Sequence, residues 1–327
     1  MTDRGTPRAV LLSIAAVERD TGLSKDTLRV WERRYGFPTP QRDELGGRAY
    51  PLEQVEKLRV VKRLMDAGHR PGRLVGQPLE ELLRLGDRGD ALHGAELAAT
   101  PDLRVELDLL RTHEIDALAR RLLQAQLRLG LGRFVTEVAA PLVTLVGDSW
   151  VRGHLEIFEE HLCSELLQGV LRGALGALPR PEPADRPHVL LTTFPNEAHG
   201  LGLLMAEALL RLDGCRCTSL GTQTPVWDIV LAATALRADV VALGFSAVLT
   251  PAVVSEGLAE LRAKLPAPVE LWVGGSAPVL SRRPLPDVET LPSLTAIASR
   301  AARWRTERAL SAGGAGSHVS HSGTSGR

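Results

Sequence analysis

Three cysteines in 327 residues, Cys163, Cys215 and Cys217, are too few and too irregularly spaced for a disulfide framework or a thiolate metal site. That excludes a disulfide-stapled secreted scaffold and suits a reducing compartment. Aromatic residues make up only 4% of the chain, whereas hydrophobic residues reach 44%. A composition led by Ala, Leu and Val disfavours an all-β protein and favours a helical or α/β one. Also absent is an uninterrupted apolar run of membrane-span length, and the opening MTDRGTPRAV lacks the apolar centre of a signal peptide. The chain is therefore expected to be cytoplasmic, with no membrane partner. Net charge is missing as well, 39 Lys+Arg offsetting 39 Asp+Glu, which excludes a uniformly basic nucleic-acid binder. The balance is nevertheless uneven: residues 1–75 carry 15 basic against 10 acidic side chains and the rest 24 against 29, so the amino-terminal part is +5 and the remainder −5. Only the first part is suited to a polyanion.

The length predicts two or three domains, and composition divides the chain at 1–77, 78–178, 179–187, 188–310 and 311–327. In the first segment a short helix carrying Ile14 and Val17 runs into Thr21-Gly22-Leu23, and Ser24 then caps a second helix. Leu28 and Trp31, at i and i+3, turn inward and leave Lys25, Arg29, Arg33 and Arg34 outside. Gly36 and Pro38 stop the helix; Gly46-Gly47 turns a short extended stretch ending at Arg48-Ala49-Tyr50, which reads as a wing. Pro51 opens a further helix with the stripe Val55, Leu58, Val61 and Met65 and Gly68 near its end. A solvated arginine-rich surface would share the charge pattern, but turn, wing and net charge together point to DNA.

The order of these pieces resembles the MerR family of winged helix-turn-helix regulators, and Ser24-Lys25-Asp26-Thr27-Leu28-Arg29-Val30-Trp31-Glu32-Arg33-Arg34-Tyr35-Gly36 looks like that family's recognition-helix signature. The resemblance implies contacts to phosphates and base edges of double-stranded operator DNA by Lys25, Arg29, Arg33 and Arg34, with Arg48 and Tyr50 on the wing. It also implies binding as a dimer to near-palindromic sites.

Residues 78–178 carry a helical period interrupted near Gly130, Gly147 and Gly153, as in a four-helix-type bundle. In it Trp150 is followed by nine residues and then Glu160-His161. On a helix from Leu155, the residues Leu155, Phe158, Leu162 and Leu166 form one stripe, and Glu160 projects about 140° from it. That acid fits either a solvated surface or a ligand beside an aromatic platform. Four prolines in 179–187 make a stiff linker, and the Gly/Ser-rich 311–327 is expected to be disordered.

From 188 to 310 strands near 189–194, 216–220, 240–245, 269–273 and 288–291 alternate with helical runs, predicting a Rossmann- or flavodoxin-like doubly wound parallel sheet. Glu197-Ala198-His199-Gly200-Leu201-Gly202 follows the first strand, Ser246 to Pro251 the third, and Gly274-Gly275 the fourth. All then share the carboxyl edge of the sheet, where open α/β folds hold ligands. A neutral imidazole at 199 can give one ring nitrogen to a metal while Glu197 holds the other, and glycines let a bulky ligand approach the backbone. By spacing alone the same residues also fit a solvated loop histidine.

This segment resembles the cobalamin-binding domains of methionine synthase and the corrinoid mutases, whose motif Asp-x-His-x-x-Gly, Ser-x-Leu, Gly-Gly reads here Glu197-x-His199-x-x-Gly202, Ser246-x-Val248, Gly274-Gly275. The resemblance implies His199 as lower axial ligand to cobalt and Gly202, Ser246, Val248, Gly274 and Gly275 around the nucleotide tail. Trp150, nine residues and Glu160-His161 resembles light-sensing MerR-type repressors of the CarH and LitR kind. Residues 11 to about 305 share that family's domain order, which implies Trp150, Glu160 and His161 at the upper face of adenosylcobalamin. It further implies a homo-oligomer, dimer or tetramer, that represses transcription in the dark and releases DNA on illumination. Glu for Asp at 197 and Val for Leu at 248 depart mildly. Val151 stands where the best-known member has a histidine that becomes a second cobalt ligand after light, with His154 the nearest substitute. Sensing of cobalamin level or of a protein partner without light is therefore an alternative. A corrinoid enzyme subunit is a remote one, since no catalytic constellation is visible; the chain reads as a non-enzyme.

Overall fold

The computed structural model describes residues 11–43, 46–66, 69–87, 103–179, 187–282 and 285–315. Gly68, the linker at 180–186 and the tail from 316 onward lie outside the described residues. Helix α15 runs from Ala296 to Ala315, so 311–315 is helical where the composition predicts disorder; Ser311 and Ala312 continue the helix before Gly313 and Gly314. Two compact units divide the chain: Met1–Glu114 with Leu142–Cys163, and Ile115–Pro141 with Ser164–Arg327. The helical segment 78–178 is thus shared between them.

In the first unit, β1 (Leu11–Ser13), α1 (Ile14–Thr21), α2 (Lys25–Tyr35), β2 (Gln41–Arg42), β3 (Arg48–Pro51) and α3 (Leu52–Asp66) form the winged module. The strand order is β1-β3-β2, antiparallel, so the wing pairs with a strand not anticipated from the sequence. Ser24 Oγ accepts from Thr27 N at the start of α2, and Gly22 and Gly36 end α1 and α2 in the left-handed region at φ 69° and 68°. Short helices α4 (Pro71–Leu74), α5 (Leu79–Asp87) and α6 (Arg104–Arg111) follow. Val17, Leu23, Leu28, Trp31, Tyr50, Val55, Leu58, Val61, Leu64 and Leu82 form the core, each large side chain worth roughly 1.5–3 kcal/mol on burial.

Helices α7 (Ile115–Leu129), α8 (Leu131–Phe134), a π-helical turn at Val135–Ala139, α9 (Ala140–Val151) and α10 (Ile157–Ala177) complete the helical segment. Gly130, at φ 75°, breaks the chain between α7 and α8, whereas Gly147 lies inside α9 and breaks nothing. Residues Leu131–Val151 run on as 21 residues, long and apolar enough by composition to cross a membrane. This corrects the expectation that no segment reaches that length, because three helical pieces are joined. The helix carries Arg133, paired with Glu137 at 2.8 Å, and buries Phe134, Val135, Leu142 and Val146, as a core helix does. The stripe anticipated on α10 is also displaced. Glu159, Cys163, Leu167, Leu171 and Leu175 are buried at i+4 spacing while Phe158 is half exposed, since the helix begins at Ile157, after a turn at Gly153, rather than at Leu155.

The second unit holds the parallel sheet: β4 (His188–Thr192), β5 (Arg216–Ser219), β6 (Val240–Phe245), β7 (Glu270–Gly275) and β8 (Glu289–Leu291), in the order β5-β4-β6-β7-β8. Helices α11 (Leu201–Leu212), α12 (Val226–Ala235), α13 (Pro251–Lys264), α14 (Pro278–Arg282) and α15 connect and flank it. Alternate strand residues feed two cores. Leu190, Val241, Leu243, Leu271 and Val273 pack with Ile229, Val254 and Leu258 of α12 and α13. Val189, Leu191, Val240 and Trp272 pack with Leu203 and Leu210 of α11 and Ile297, Ala301 and Trp304 of α15. This is the predicted doubly wound fold: strands apolar on both sides, covered on both. The order places the topological switch between β4 and β6, so ligand-binding loops are expected after those two strands.

Candidate functional site

Glu197 and Ser246 lie in the loops after β4 and β6, on either side of the switch point. Glu197 is fully buried. Its Oε1 accepts from His199 Nδ1 at 2.8 Å and from His199 N at 3.1 Å, and its Oε2 accepts from Ser246 N and Ser246 Oγ, each at 2.8 Å. Burial alone would raise the carboxyl's pKa, but the hydrogen bonds from His199 and Ser246 outweigh it and hold Glu197 below its ordinary value. An ionised carboxylate only accepts, so Nδ1 carries the ring proton toward it. Nε2, across the ring, then bears the lone pair, and the imidazole is 62% exposed. Such a histidine is oriented and electronically prepared to ligate a metal.

The loops themselves are tied down by residues that the sequence motifs do not include. Thr193 Oγ1 donates to Glu197 O at 2.6 Å and accepts from Gln223 N at 2.8 Å, while Thr192 Oγ1 donates to Gly221 O at 3.0 Å. The Gly221–Thr224 loop after β5 therefore joins the same edge, and a Cβ at Gly200 would stand 2.9 Å from Thr222 Cγ2. The available signal was the paired threonine that ends an otherwise apolar strand, Val189-Leu190-Leu191-Thr192-Thr193.

The glycines serve unlike ends. Around Gly202, in the first turn of α11, a Cβ would meet nothing within 4 Å, so space is open there. Gly274 pairs with Gly244 in the β6–β7 ladder, one position before its last pair. Gly275 sits at φ 117°, and a Cβ there would lie 2.0 Å from Phe245 O; the chain's own approach to β6 already demands glycine. Val248 is 36% exposed, its N donating to Ser246 Oγ at 3.2 Å.

Trp150, Glu160 and His161 belong to the first unit. Trp150, in the last turn of α9, lies against Arg63, whose guanidinium is 5.9 Å from the indole centroid. Its Nε1 is buried without a hydrogen-bond partner among the described residues. Glu160 Oε2 accepts from His161 Nδ1 at 2.7 Å. His154 is exposed in the turn before α10, whereas Val151 packs against the winged-module core.

On the basic face, Arg29, Arg33 and Arg34 are exposed and Lys25 is half-buried. Lys25 pairs with Glu18 at 3.3 Å and Arg29 with Asp26 at 3.2 Å. Solvated pairs of this kind are worth about 0–1 kcal/mol and yield readily to phosphate. The two wing residues differ from expectation. Arg48 pairs with Glu32 at 3.0 Å, and Tyr50 is wholly buried, its hydroxyl donating to Glu32 Oε1 at 2.6 Å. Burial, then Glu32, pushes the phenol's pKa up. Tyr50 is therefore a brace between wing and α2 rather than a surface contact, because its ring packs in the module's core and its hydroxyl is held by Glu32 of α2. Arg42 on β2, which no sequence motif singles out, is exposed beside the wing turn.

The cysteines lie in the core: Cys163 and Cys215 are buried and Cys217 half-buried, and burial raises the Cys163 thiol to about 12. Protonated, enclosed thiols do not sense metals.

The model of the MerR HTH family regulatory protein matches residues 12–74, and two B12 binding domain models match residues 109–172 and 187–286. The HTH-type transcriptional repressor CarH of Myxococcus xanthus is 35% identical over 263 residues, 78% of this chain and 86% of the relative. The HTH-type transcriptional repressor CarA of the same organism is 34% identical over 267 residues, 81% and 86% of the two chains. A monomethylamine corrinoid protein structure from Methanosarcina barkeri is 16% identical, with a TM-score of 0.49, covering 60% of this chain and 95% of its own. With a histidine braced at the sheet's switch point and a winged helix-turn-helix ahead of it, the chain belongs to the MerR family of transcriptional regulators that carry B12-binding domains, and its cofactor is a cobalamin.

Proposed function

We propose that this protein is a light-responsive, adenosylcobalamin-dependent transcriptional repressor. It binds double-stranded operator DNA as a homo-oligomer, dimer or tetramer, in the dark, and releases it on photolysis of the cobalt–carbon bond. It works in the cytoplasm and catalyses no reaction of its own. The repressor names of its two Myxococcus xanthus relatives support this reading. The observation that carries it is the buried Glu197 holding His199 Nδ1, which keeps the ring proton there and the lone pair on Nε2, the atom suited to cobalt. Ser246, Gly202, Val248, Gly274 and Gly275 line the path for the nucleotide tail, and Trp150, Glu160 and His161 attend the upper ligand. When bound, the cofactor supplies a light-labile metal–carbon bond. The chain's own residues orient the ring nitrogen, keep its proton on Nδ1 and set the assembly equilibrium. Moving that equilibrium from 1:99 to 99:1 requires about 5.5 kcal/mol of differential stabilisation. Lys25, Arg29, Arg33, Arg34 and Arg48 contact the operator.

Size-exclusion chromatography with adenosylcobalamin, in the dark and after green light, tests this directly. A large dark species that shrinks on illumination, with parallel loss of operator binding, is expected. An unchanged size and unchanged binding would leave the second reading, in which the protein senses cobalamin level or a protein partner. One observation favours that alternative: position 151 is a valine packed into the winged-module core, so no imidazole follows Trp150 directly. His154 is then the candidate upper ligand after light.

A further inference from the structure

Arg63 is buried, 8% exposed, on the last turns of α3, and its guanidinium meets residues around Trp150. Its Nη1 donates to Trp150 O at 3.2 Å, its guanidinium lies over the indole, and its Nη2 stands 3.9 Å from Glu156. The acceptor is a carbonyl at the carboxyl end of α9, where a cation is favoured by the helix dipole. Val151 adds its side chain to the winged-module core, and Gly153, at φ 76°, brings the chain so close that a Cβ would be 3.3 Å from Arg63 Nη1. One turn earlier on α3, Arg59 holds Asp20 near the end of α1 through two bonds of 2.8 Å. Two arginines at i and i+4 thus join α3 to the Trp150 turn at one end and to the helix-turn-helix at the other.

We propose that Arg63 is a positioning residue for Trp150 and couples it to the DNA-binding helices within a single protomer. A change at Trp150 reaches α3, and through Arg59 and Asp20 reaches α1, without a change of oligomer. This rests on the reading of Trp150 as a residue that attends the cofactor. The indole Nε1, buried with no partner among the described residues, is a donor that an acceptor on a ligand would satisfy. Arg63 itself is buried, so its bond to the Trp150 carbonyl is shielded from water and hence stronger than a surface hydrogen bond. A displaced indole would strand a buried cation, and α3 must respond.

Hydrogen exchange on the full chain, with and without adenosylcobalamin in the dark, reads the coupling without requiring a known operator. In the wild type, cobalamin should slow exchange at least about threefold in peptides covering 148–157 and also in those covering 55–66. In Arg63→Met the first change should persist and the second should vanish, with the bound cobalamin spectrum unaltered; Arg63→Lys should restore part of the second. Should Arg63→Met fail to fold, Glu156→Gln, at an exposed carboxylate, should reduce the change at 55–66 while leaving that at 148–157. Undiminished protection at 55–66 in Arg63→Met, or in Glu156→Gln where Arg63→Met does not fold, would overturn the coupling. Cobalamin bound without any effect at 148–157 would overturn the reading of Trp150 and the coupling with it. Failure of the wild type to bind cobalamin would instead overturn the proposed function.

Discussion

Two heterocycles, the imidazole of His199 and the indole of Trp150, are each set by a buried charged residue, but the charges are opposite and the surroundings differ. Glu197 is an anion satisfied wholly within the α/β unit, by His199 and by the backbone and hydroxyl of Ser246. Arg63 is a cation contributed by the winged module, and it meets a helix carbonyl, a ring face and a half-solvated acid. Burial lowers the Arg63 pKa while Glu156 pulls it back. The sheet edge is therefore complete as soon as the sheet folds, whereas the Trp150 turn is complete only when the DNA-binding module is in place.

The comparison breaks most severely at His199. His199→Ala should weaken cobalamin binding by on the order of 100-fold or more, beyond the 10- to 100-fold typical of outer partners, in an absorbance titration. Retained affinity would mean that cobalt is held elsewhere. Glu197→Gln and Ser246→Ala sharpen it: each should cost about 10- to 100-fold in the same titration, with Glu197→Gln the larger because it removes the charge that orients Nδ1–H. If both match the wild type, the brace is decorative. On the winged module, Arg29→Ala or Arg33→Ala should weaken operator binding and lower the log–log salt slope by about 0.9 for each phosphate that is no longer neutralised. An unchanged slope would show that α2 presents a different face to DNA.

The smallest effect concerns His188, at the opposite end of β4 from the site. Burial, with Arg216 adding to it, holds this imidazole below the usual 6.5. Its ring nitrogens meet Leu236 O at 3.1 Å and Thr218 Oγ1 at 2.9 Å. On acidification the unfolded chain takes up the proton first. The stabilisation is therefore full above the unfolded value and lost as pH falls from there through the folded value. Urea midpoints followed from about pH 7.5 to about pH 5.5 should decline, and His188→Gln should flatten the decline.

Much of the site was legible because its chemistry is local. Glu197 and His199 are two residues apart, so the brace is a short-range hydrogen bond, and Ser246 follows a recognisable strand. Helix α2 was equally legible, since Ser24 and Gly36 mark its ends and Leu28 and Trp31 its inward face. Tyr50 was misread because aromatic character on a wing suggests a surface contact, while the core cluster and Glu32 of α2, 18 positions away, decide its side. Arg63 carries no signal at all: its partners are 87 and 93 positions away in sequence.

By itself the sequence determined the helix-turn-helix, the order of strands and helices in the α/β unit, and the residue types suited to a metal, because capping, periodicity and motif spacing act over a few residues. The tertiary structure alone decided the rest. It gathered the loops after β4, β5 and β6 at one edge, assigned Gly275 to close backbone packing, and placed Val151 and Trp150 against the DNA-binding core. Which buried charge finds which partner depends on chain segments brought together only when their apolar faces are removed from water.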